Sequence, residues 1–240
     1  MTKTTLSDSS KRNKNKPNLI ICGVDEAGRG PVLGSLVVCG VCFLQKDLDF
    51  LRDINVKDSK KLTPSKRKEL GKLVEDNCYS FHMISVDAKE IDQREEKRFS
   101  LNRLEELKMA EIVNKLKPEI IYLDAADTKE KRFGRSINQL LTYSPKKIVS
   151  KHKADDLFPI VSAASILAKN KRDALIQDLN AEFSEDIGSG YPSDQRTINF
   201  LKNYIRTHKK PPKCARKTWK TTRKILDEEI GNRKITEYFN

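Results

Sequence analysis

Two short apolar runs in this 240-residue chain end on carboxylates. Ile20–Val24 runs into Asp25 and Glu26, and Ile120–Leu123 runs into Asp124. A third acid, Asp155 or its neighbour Asp156, precedes a stretch rich in small residues, and Asp127 lies close behind Asp124. In open α/β sheets functional groups collect beyond the carboxyl ends of the strands, so acids far apart in the chain can meet there. Carboxylates gathered at one point repel one another, and divalent cations offset that repulsion. Hard oxygen donors suit Mg²⁺ or Mn²⁺. Two such ions can generate an attacking hydroxide and stabilise the leaving oxygen of a phosphodiester. A single strand-end acid more often starts a turn or caps a helix. The chemical reading rests on three of them occurring together beside segregated basic segments.

The loop after the first acids adds to this. In Asp25-Glu-Ala-Gly-Arg-Gly-Pro31 two glycines flank Arg29, so the backbone can approach a ligand closely and present amides and a guanidinium to a nucleic-acid backbone. The spacing is neither a dinucleotide fingerprint nor a P-loop.

The elements that must position these groups are legible in outline. Ile20–Val24, Leu33–Phe43, Ser80–Val86, Ile120–Leu123 and Lys147–Ser150 read as strands. Ser100–Lys117 keeps near-helical apolar spacing, with Ser100 as N-cap and Pro118 after the last turn. Ile160–Asn180, Asp194–Ile205 and Trp219–Ile230 read as helices. Early strands followed by alternating helices and strands predict an α/β core with a helical C-terminal extension.

The formal charge is +13, and it is unevenly placed. Residues 1–18 carry five basic side chains and one acid, and residues 206–224 carry nine basic side chains and no acid. The remaining 203 residues hold 33 of each sign. The first segment, low in apolar residues, is expected to be a disordered tail. The second interleaves Lys and Arg with Trp219 and several hydroxyls, a mix suited to phosphate contacts and stacking. No run of 18 apolar residues exists, and the N-terminus lacks an apolar leader. Five irregularly spaced Cys argue for a reducing compartment rather than a disulfide framework. A cytoplasmic, non-membrane protein is expected.

Beyond these patterns, Asp25-Glu-Ala-Gly-Arg-Gly-Pro-Val-Leu-Gly34 resembles the signature of ribonuclease HII, the type 2 ribonuclease H. The resemblance continues through Asp58-Ser-Lys-Lys-Leu62, Tyr122-Leu-Asp-Ala-Ala-Asp127, Lys153-Ala-Asp155, Val161–Lys169 and Gly188-Ser-Gly-Tyr-Pro192. It spans residues 19 to 224 in collinear order and is most like the archaeal branch.

The resemblance implies an RNase H-like core, with a mixed central sheet flanked by helices, over 19–185, and a helical basic substrate-binding region over 186–231. It implies hydrolysis of the RNA strand of RNA–DNA hybrids, and cutting 5′ of ribonucleotides embedded in duplex DNA. The ends left would be 5′-phosphate and 3′-hydroxyl. The family's catalytic and metal-binding carboxylates fall on Asp25, Glu26, Asp124 and Asp155, serving a two-metal Mg²⁺ or Mn²⁺ site. Gly28, Arg29, Gly30 and Tyr191 would read the ribonucleotide and its junction with DNA. Lys60, Lys61 and Lys153 would contact phosphates. A role in DNA replication and repair and a monomeric state follow as expectations.

Several further signals are weaker. Cys39 and Cys42 lie three apart in an apolar strand run and are expected to be buried on opposite faces. His82 reads as structural, and Trp219 is either a packing anchor or a nucleic-acid contact. The last residues, 232–240, resemble the terminal peptide by which replication proteins bind the sliding clamp PCNA. Ile235, Tyr238 and Phe239 would fill its hydrophobic pocket, although Asn232 stands where a glutamine is usual. Two other readings compete. A non-catalytic hybrid-binding protein of the same fold would be expected to lose acids, yet all four positions are occupied. A resolvase or transposase would lack the Gly-Arg-Gly and Gly-Tyr pair.

Overall fold

A computed structural model describes residues 18–56, 63–127 and 129–231. Strands β1 (Ile20–Ala27) and β2 (Leu36–Leu44) are followed by two short helical turns, Gln45–Asp47 and α1 (Asp49–Asp53). Then come α2 (Pro64–Asn77), β3 (Ser80–Val86), α3 (Ala88–Glu96), α4 (Leu101–Leu116) and β4 (Ile120–Asp124). The chain continues through α5 (Glu130–Asn138), β5 (Lys147–Lys151), α6 (Ala154–Leu157) and α7 (Pro159–Phe183). It closes with α8 (Gln195–His208), α9 (Lys220–Leu226) and a π-helical turn at Asp227–Gly231.

The sheet order is β3-β2-β1-β4-β5. β1 is antiparallel to β2 and β2 to β3, whereas β1, β4 and β5 run parallel. This is the mixed, helix-flanked sheet that the sequence predicts. Both faces are covered, which is why β2 reads as one continuous apolar run. Leu36, Val38 and Cys42 pack with Val24, Leu123, Ile112 and Phe133 on the α4 and α5 side. Val37, Cys39 and Val41 pack with Ala163, Ala164 and Leu167 on the α7 side. Cys39 and Cys42 are thus buried on opposite faces, and all five cysteines are free thiols. Helix α7 lies so close to β1 that a Cβ at Gly23 would come within 2.2 Å of the Ile160 carbonyl oxygen.

Side-chain caps begin the helices that the spacing marks. Ser100 accepts from the Arg103 amide at 3.2 Å to start α4, and Asp194 accepts from the Arg196 amide at 3.0 Å to start α8. A third core gathers Val32, Leu33, Ile187, Phe200, Leu201, Ile205 and Ile225, fastening the C-terminal helices to the loop before β2.

Some boundaries differ from the sequence reading. β1 does not stop before Asp25. It continues to Ala27 because β2 goes on pairing with it, Asp25 opposite Cys39 and Glu26 opposite Val38. Residues 33–35 are not strand: Gly34 takes a positive φ of 85°, and Leu33 bridges to Ala215. Helices α2, α3 and α5 were not expected, being mostly polar. The last helix is α-helical only to Leu226. Among the described residues no helix is long and apolar enough to cross a membrane. The N-terminal tail and residues 232–240 lie outside the described residues, apart from Asn18.

Candidate active site

Strand register brings the first two acids together. The last β1–β4 pair is Val24 with Leu123, so Asp25 and Asp124 are the next residues on adjacent parallel strands. Val24 and Leu123 face the α4 side, so by the two-residue period of a strand both acids face α7. Asp25 is 4% exposed. Its carboxyl is pushed up to about 7, first by burial and then by the charge of Asp124, with Asp155 adding in the same direction. The nearby Ser165 hydroxyl and the Glu26 amide, which donates to Asp25 Oδ1 at 2.8 Å, act the other way.

The other acids reach the same point from different elements. Asp124 Oδ1 accepts from the Ala154 amide at 2.8 Å, tying the end of β4 to the start of α6. Lys153, in a left-handed conformation at φ 52°, turns the chain there. Asp155 follows in α6, half-buried, and its carbonyl accepts from the Ser162 hydroxyl. Glu26 is raised well above the usual carboxylate range by burial, then by Asp25, Glu105 and Asp124. Its Oε2 is buried without a hydrogen-bond partner. Asp127 is placed differently. It is buried against Arg132 and accepts from the Lys129 amide at 3.0 Å, holding the turn into α5. Asp156 is exposed.

This donor set fits a hard divalent cation. No three His, Cys, Asp or Glu side chains among the described residues cage an ion by themselves. A Mg²⁺-like ion does not require that, since it keeps several waters and needs only one or two carboxylates plus substrate oxygens. The unpartnered, buried Glu26 oxygen beside a like-charged cluster is where such an ion would relieve most repulsion.

Beside the acids lies a groove of about 380 Å³, bordered by Glu26, the Gly28-Arg29-Gly30 loop, Lys169, Arg172 and Tyr191. A Cβ at Gly30 would meet the Tyr191 ring at 3.6 Å, so loop and ring are neighbours across more than 160 residues. Gly28 takes a φ of 89°, a conformation that disfavours a side chain.

Three residues that sequence reasoning passed over hold this groove. Arg216 is fully buried and donates to the carbonyls of Gly34 at 3.0 Å, Arg29 at 3.0 Å and Gly28 at 2.6 Å. Burial, followed by the Arg172 charge, lowers its guanidinium to about 10. Arg172 donates to the Ser189 carbonyl, and its guanidinium carbon lies 4.6 Å from the Tyr191 ring centroid. Glu105, also fully buried, lies 3.5 Å from the Arg29 guanidinium and is pushed up to about 7 by burial. A signal for Arg172 exists: it continues the buried four-residue stripe Ile160, Ala164, Ala168, Ile176 along α7. Arg216 carries none, being one of nine cations in its segment.

Arg29 itself is occupied. Its guanidinium donates to the Ala126 carbonyl at 2.9 Å and to Asn102 Oδ1, besides facing Glu105. The basic C-terminal segment is likewise partly spent on structure. Arg223 pairs with Glu95 at 2.6 Å and Arg206 with Glu229 at 2.9 Å. Lys210, Lys213, Lys217 and Lys220 stay exposed. Trp219 is a packing anchor, with the guanidinium carbons of Arg94 and Arg216 at 4.7 Å and 5.0 Å from its ring centroid. Lys153 is exposed near Asp124, whereas Lys60 and Lys61 lie outside the described residues, as do Ile235, Tyr238 and Phe239.

The raised Asp25 carboxyl has a stability consequence. Without a cation, the folded chain keeps this proton up to about pH 7, while the unfolded chain releases it near 4. The folded state binds more protons in that window, so stability falls as pH rises through it. Asp25→Asn should therefore raise Tm in EDTA by roughly 10 °C at pH 8, the gain vanishing near pH 4. Thermal melts across that range check this, and a gain independent of pH would contradict it.

The family model described as Ribonuclease HII matches residues 22–222 of the chain. A ribonuclease HII from Methanocella arvoryzae is 48% identical over 206 residues, 86% of this chain and 91% of that protein. The crystal structure of the ribonuclease H2 from Pyrococcus horikoshii OT3 superposes with a TM-score of 0.83 at 43% identity, covering 88% of this chain and 99% of that one. The ribonuclease HII in a PCNA:RNase HII complex from Archaeoglobus fulgidus superposes at 0.77 with 40% identity, over 84% and 96% of the two chains.

Proposed function

The chain belongs to the ribonuclease HII family and is an endoribonuclease, and on that premise we propose that it hydrolyses the RNA strand of RNA–DNA hybrids and cuts 5′ of ribonucleotides embedded in duplex DNA. Family membership removes the non-catalytic alternative. One observation carries the finer reading: the groove that borders the acids is lined by both the Gly28–Gly30 loop and the Tyr191 ring, which adjoin one another there.

Asp25, Glu26, Asp124 and Asp155 would hold two Mg²⁺ or Mn²⁺ ions. Bound there, such ions lower the pKa of a water molecule and offset the charge of the scissile phosphate. The chain's own part is positioning. The Ala154 amide fixes Asp124, and the Glu26 amide fixes Asp25. Water adds to phosphorus and the P–O3′ bond breaks. The leaving oxygen takes up a proton, giving a 3′-hydroxyl and a 5′-phosphate.

Discrimination belongs to the groove. The loop held by Arg216 would present its backbone to the ribose 2′-hydroxyl, the group by which a protein tells RNA from DNA. Arg29, tied to Ala126, Asn102 and Glu105, acts mainly by holding the loop's shape. Tyr191 would stack on the sugar of the following deoxynucleotide, where a second 2′-hydroxyl would clash. Lys153, Lys60 and Lys61 would meet flanking phosphates.

The test is a cleavage gel comparing a hybrid, a duplex with one embedded ribonucleotide, and plain DNA, in Mg²⁺, Mn²⁺ or EDTA. Cutting of the first two alone, abolished by EDTA, is expected. On the same gel Tyr191→Ala should lower cutting at the embedded ribonucleotide roughly tenfold more than on the hybrid, the loss of about one stacking contact. Equal losses would remove the junction-reading role.

We also propose, for the protein acting as a monomer in DNA replication and repair, that residues 232–240 bind the PCNA clamp through Ile235, Tyr238 and Phe239. The PCNA complex of the Archaeoglobus fulgidus relative supports this. Unchanged clamp affinity after deleting residues 233–240 would end the idea.

A further inference from the structure

The body of the chain, neutral in sum, is not neutral everywhere. Residues 129–151 carry seven Lys or Arg and a single acid, Glu130. The fold shapes this stretch into α5 and β5, the latter at one edge of the sheet. The two pack tightly at Gly134, where a Cβ would sit 3.0 Å from the Ser150 Cβ. Alongside them lies a cleft of about 620 Å³, bordered by Lys131, Arg135, Lys146, Lys147 and Lys151.

Not all of these cations are spent on neighbours. Lys151 pairs with Glu130 at 3.1 Å and Lys146 with Glu119 at 2.9 Å. Lys131, Arg135 and Lys147 are exposed and make no ion pair with an acid among the described residues. Edge strands carry lysines to deter pairing with another chain, which accounts for Lys147. It does not account for Lys131 and Arg135, which line the same cleft from a helix with no edge to protect. The border of the cleft comes within one strand of the acids, because Lys151 pairs in register with Asp124. From there β5 runs back four residues to Lys147, about 13 Å at strand rise.

We propose that this cleft is a second nucleic-acid contact, gripping the phosphodiester backbone of the substrate duplex outside the catalytic centre. The inference rests on the hybrid being the substrate. A duplex lying across the acids and long enough to extend past them places phosphates against α5 and β5. A short duplex whose cleavable position lies at the end nearest α5 and β5 extends away from them and does not reach them.

The experiment compares a hybrid of about 12 base pairs, its only cleavable position at that end, and a hybrid of about 30 base pairs, using a Lys131→Gln, Arg135→Gln, Lys147→Gln variant. Binding is read by fluorescence anisotropy in EDTA across a salt series. On the long hybrid, affinity should fall tenfold or more near physiological salt, and the log–log salt slope should shrink by about 2 to 3. On the short hybrid, affinity and Mg²⁺-dependent cleavage should stay within about twofold of the parent. A Lys131→Arg, Arg135→Lys, Lys147→Arg variant, which keeps every charge, should restore long-hybrid binding; failure of that rescue would count against the proposal. Unchanged affinity on the long hybrid, or equal losses at both lengths, would overturn it. A loss confined to duplexes bearing single-stranded overhangs would overturn the assignment to duplex. If the parent protein cuts neither hybrid, the substrate assignment fails first, and that result is read without the variant.

Discussion

Replacing Asp124 with Asn should cut hydrolysis by about three orders of magnitude or more, while hybrid binding is kept or tightened. The amide keeps the shape of the side chain and an oxygen able to accept from the Ala154 amide, so the junction of β4 and α6 should survive. What is lost is one negative charge beside Asp25, where Asp124 is the largest charge effect after burial. A cation held there loses a ligand, worth several kcal/mol of transition-state stabilisation, and each ~1.4 kcal/mol is tenfold in rate. Repulsion of the incoming phosphates also weakens, hence the tighter binding. Single-turnover cleavage with anisotropy on the same hybrid checks both halves. Retained activity would take Asp124 out of the site. Asp127→Asn is the control: it disturbs the Arg132 ion pair and the turn into α5, so stability should suffer and the chemistry should not.

The second large effect is expected at Arg216, which bonds the loop and none of the four acids. Arg216→Ala removes the donors to three carbonyls, those of Gly28, Arg29 and Gly34, in a place closed to water. An unpaired buried acceptor costs about 1–3 kcal/mol, and losing a buried hydrogen-bond network about 3–5 kcal/mol in all. Tm should drop by roughly 10 °C. Below the melting range the surviving enzyme should show a raised KM with a smaller fall in kcat, because the loop rather than the acids has come loose. Arg216→Lys should recover little, since an ammonium lacks the planar fork that meets three acceptors. An unaltered Tm would mean that the loop is held by other means.

How far these features were legible follows from the physics of each. The strands β2 and β3 and the helices α4 and α7 could be read because burial or capping leaves a periodic or terminal mark, as Ser100 does before α4. Helices α2 and α3 leave little, since each buries only two or three residues and is otherwise charged. Position in a strand was misjudged at Asp25 because an acid in sequence reads as a terminator. Only the pairing with β2, invisible locally, shows that β1 carries on through Glu26 and Ala27. That Asp25 and Asp124 are neighbours depends on the parallel register of β1 and β4, a long-range fact. The residues that brace the groove were missed for a related reason. Arg172 and Arg216 belong to cation-rich stretches, and composition cannot tell a buried guanidinium from a solvated one. The basic C-terminal segment was read as a substrate surface, but Arg223 is tied to Glu95 and Arg206 to Glu229, and Asp92 fastens the segment to the body by accepting from the Lys217 amide.

Trp219 is the only tryptophan in the chain, and Arg216 lies against its ring while holding the Gly28–Gly30 loop by its carbonyls. Excited at the red edge of its band, where the six tyrosines do not absorb, this single indole reports alone, one side chain removed from the loop proposed to read the ribose. Loop displacement is transmitted to the indole through one guanidinium, so emission wavelength and quenching give an optical gauge of loop seating. No dye is needed, and no second indole blurs the signal.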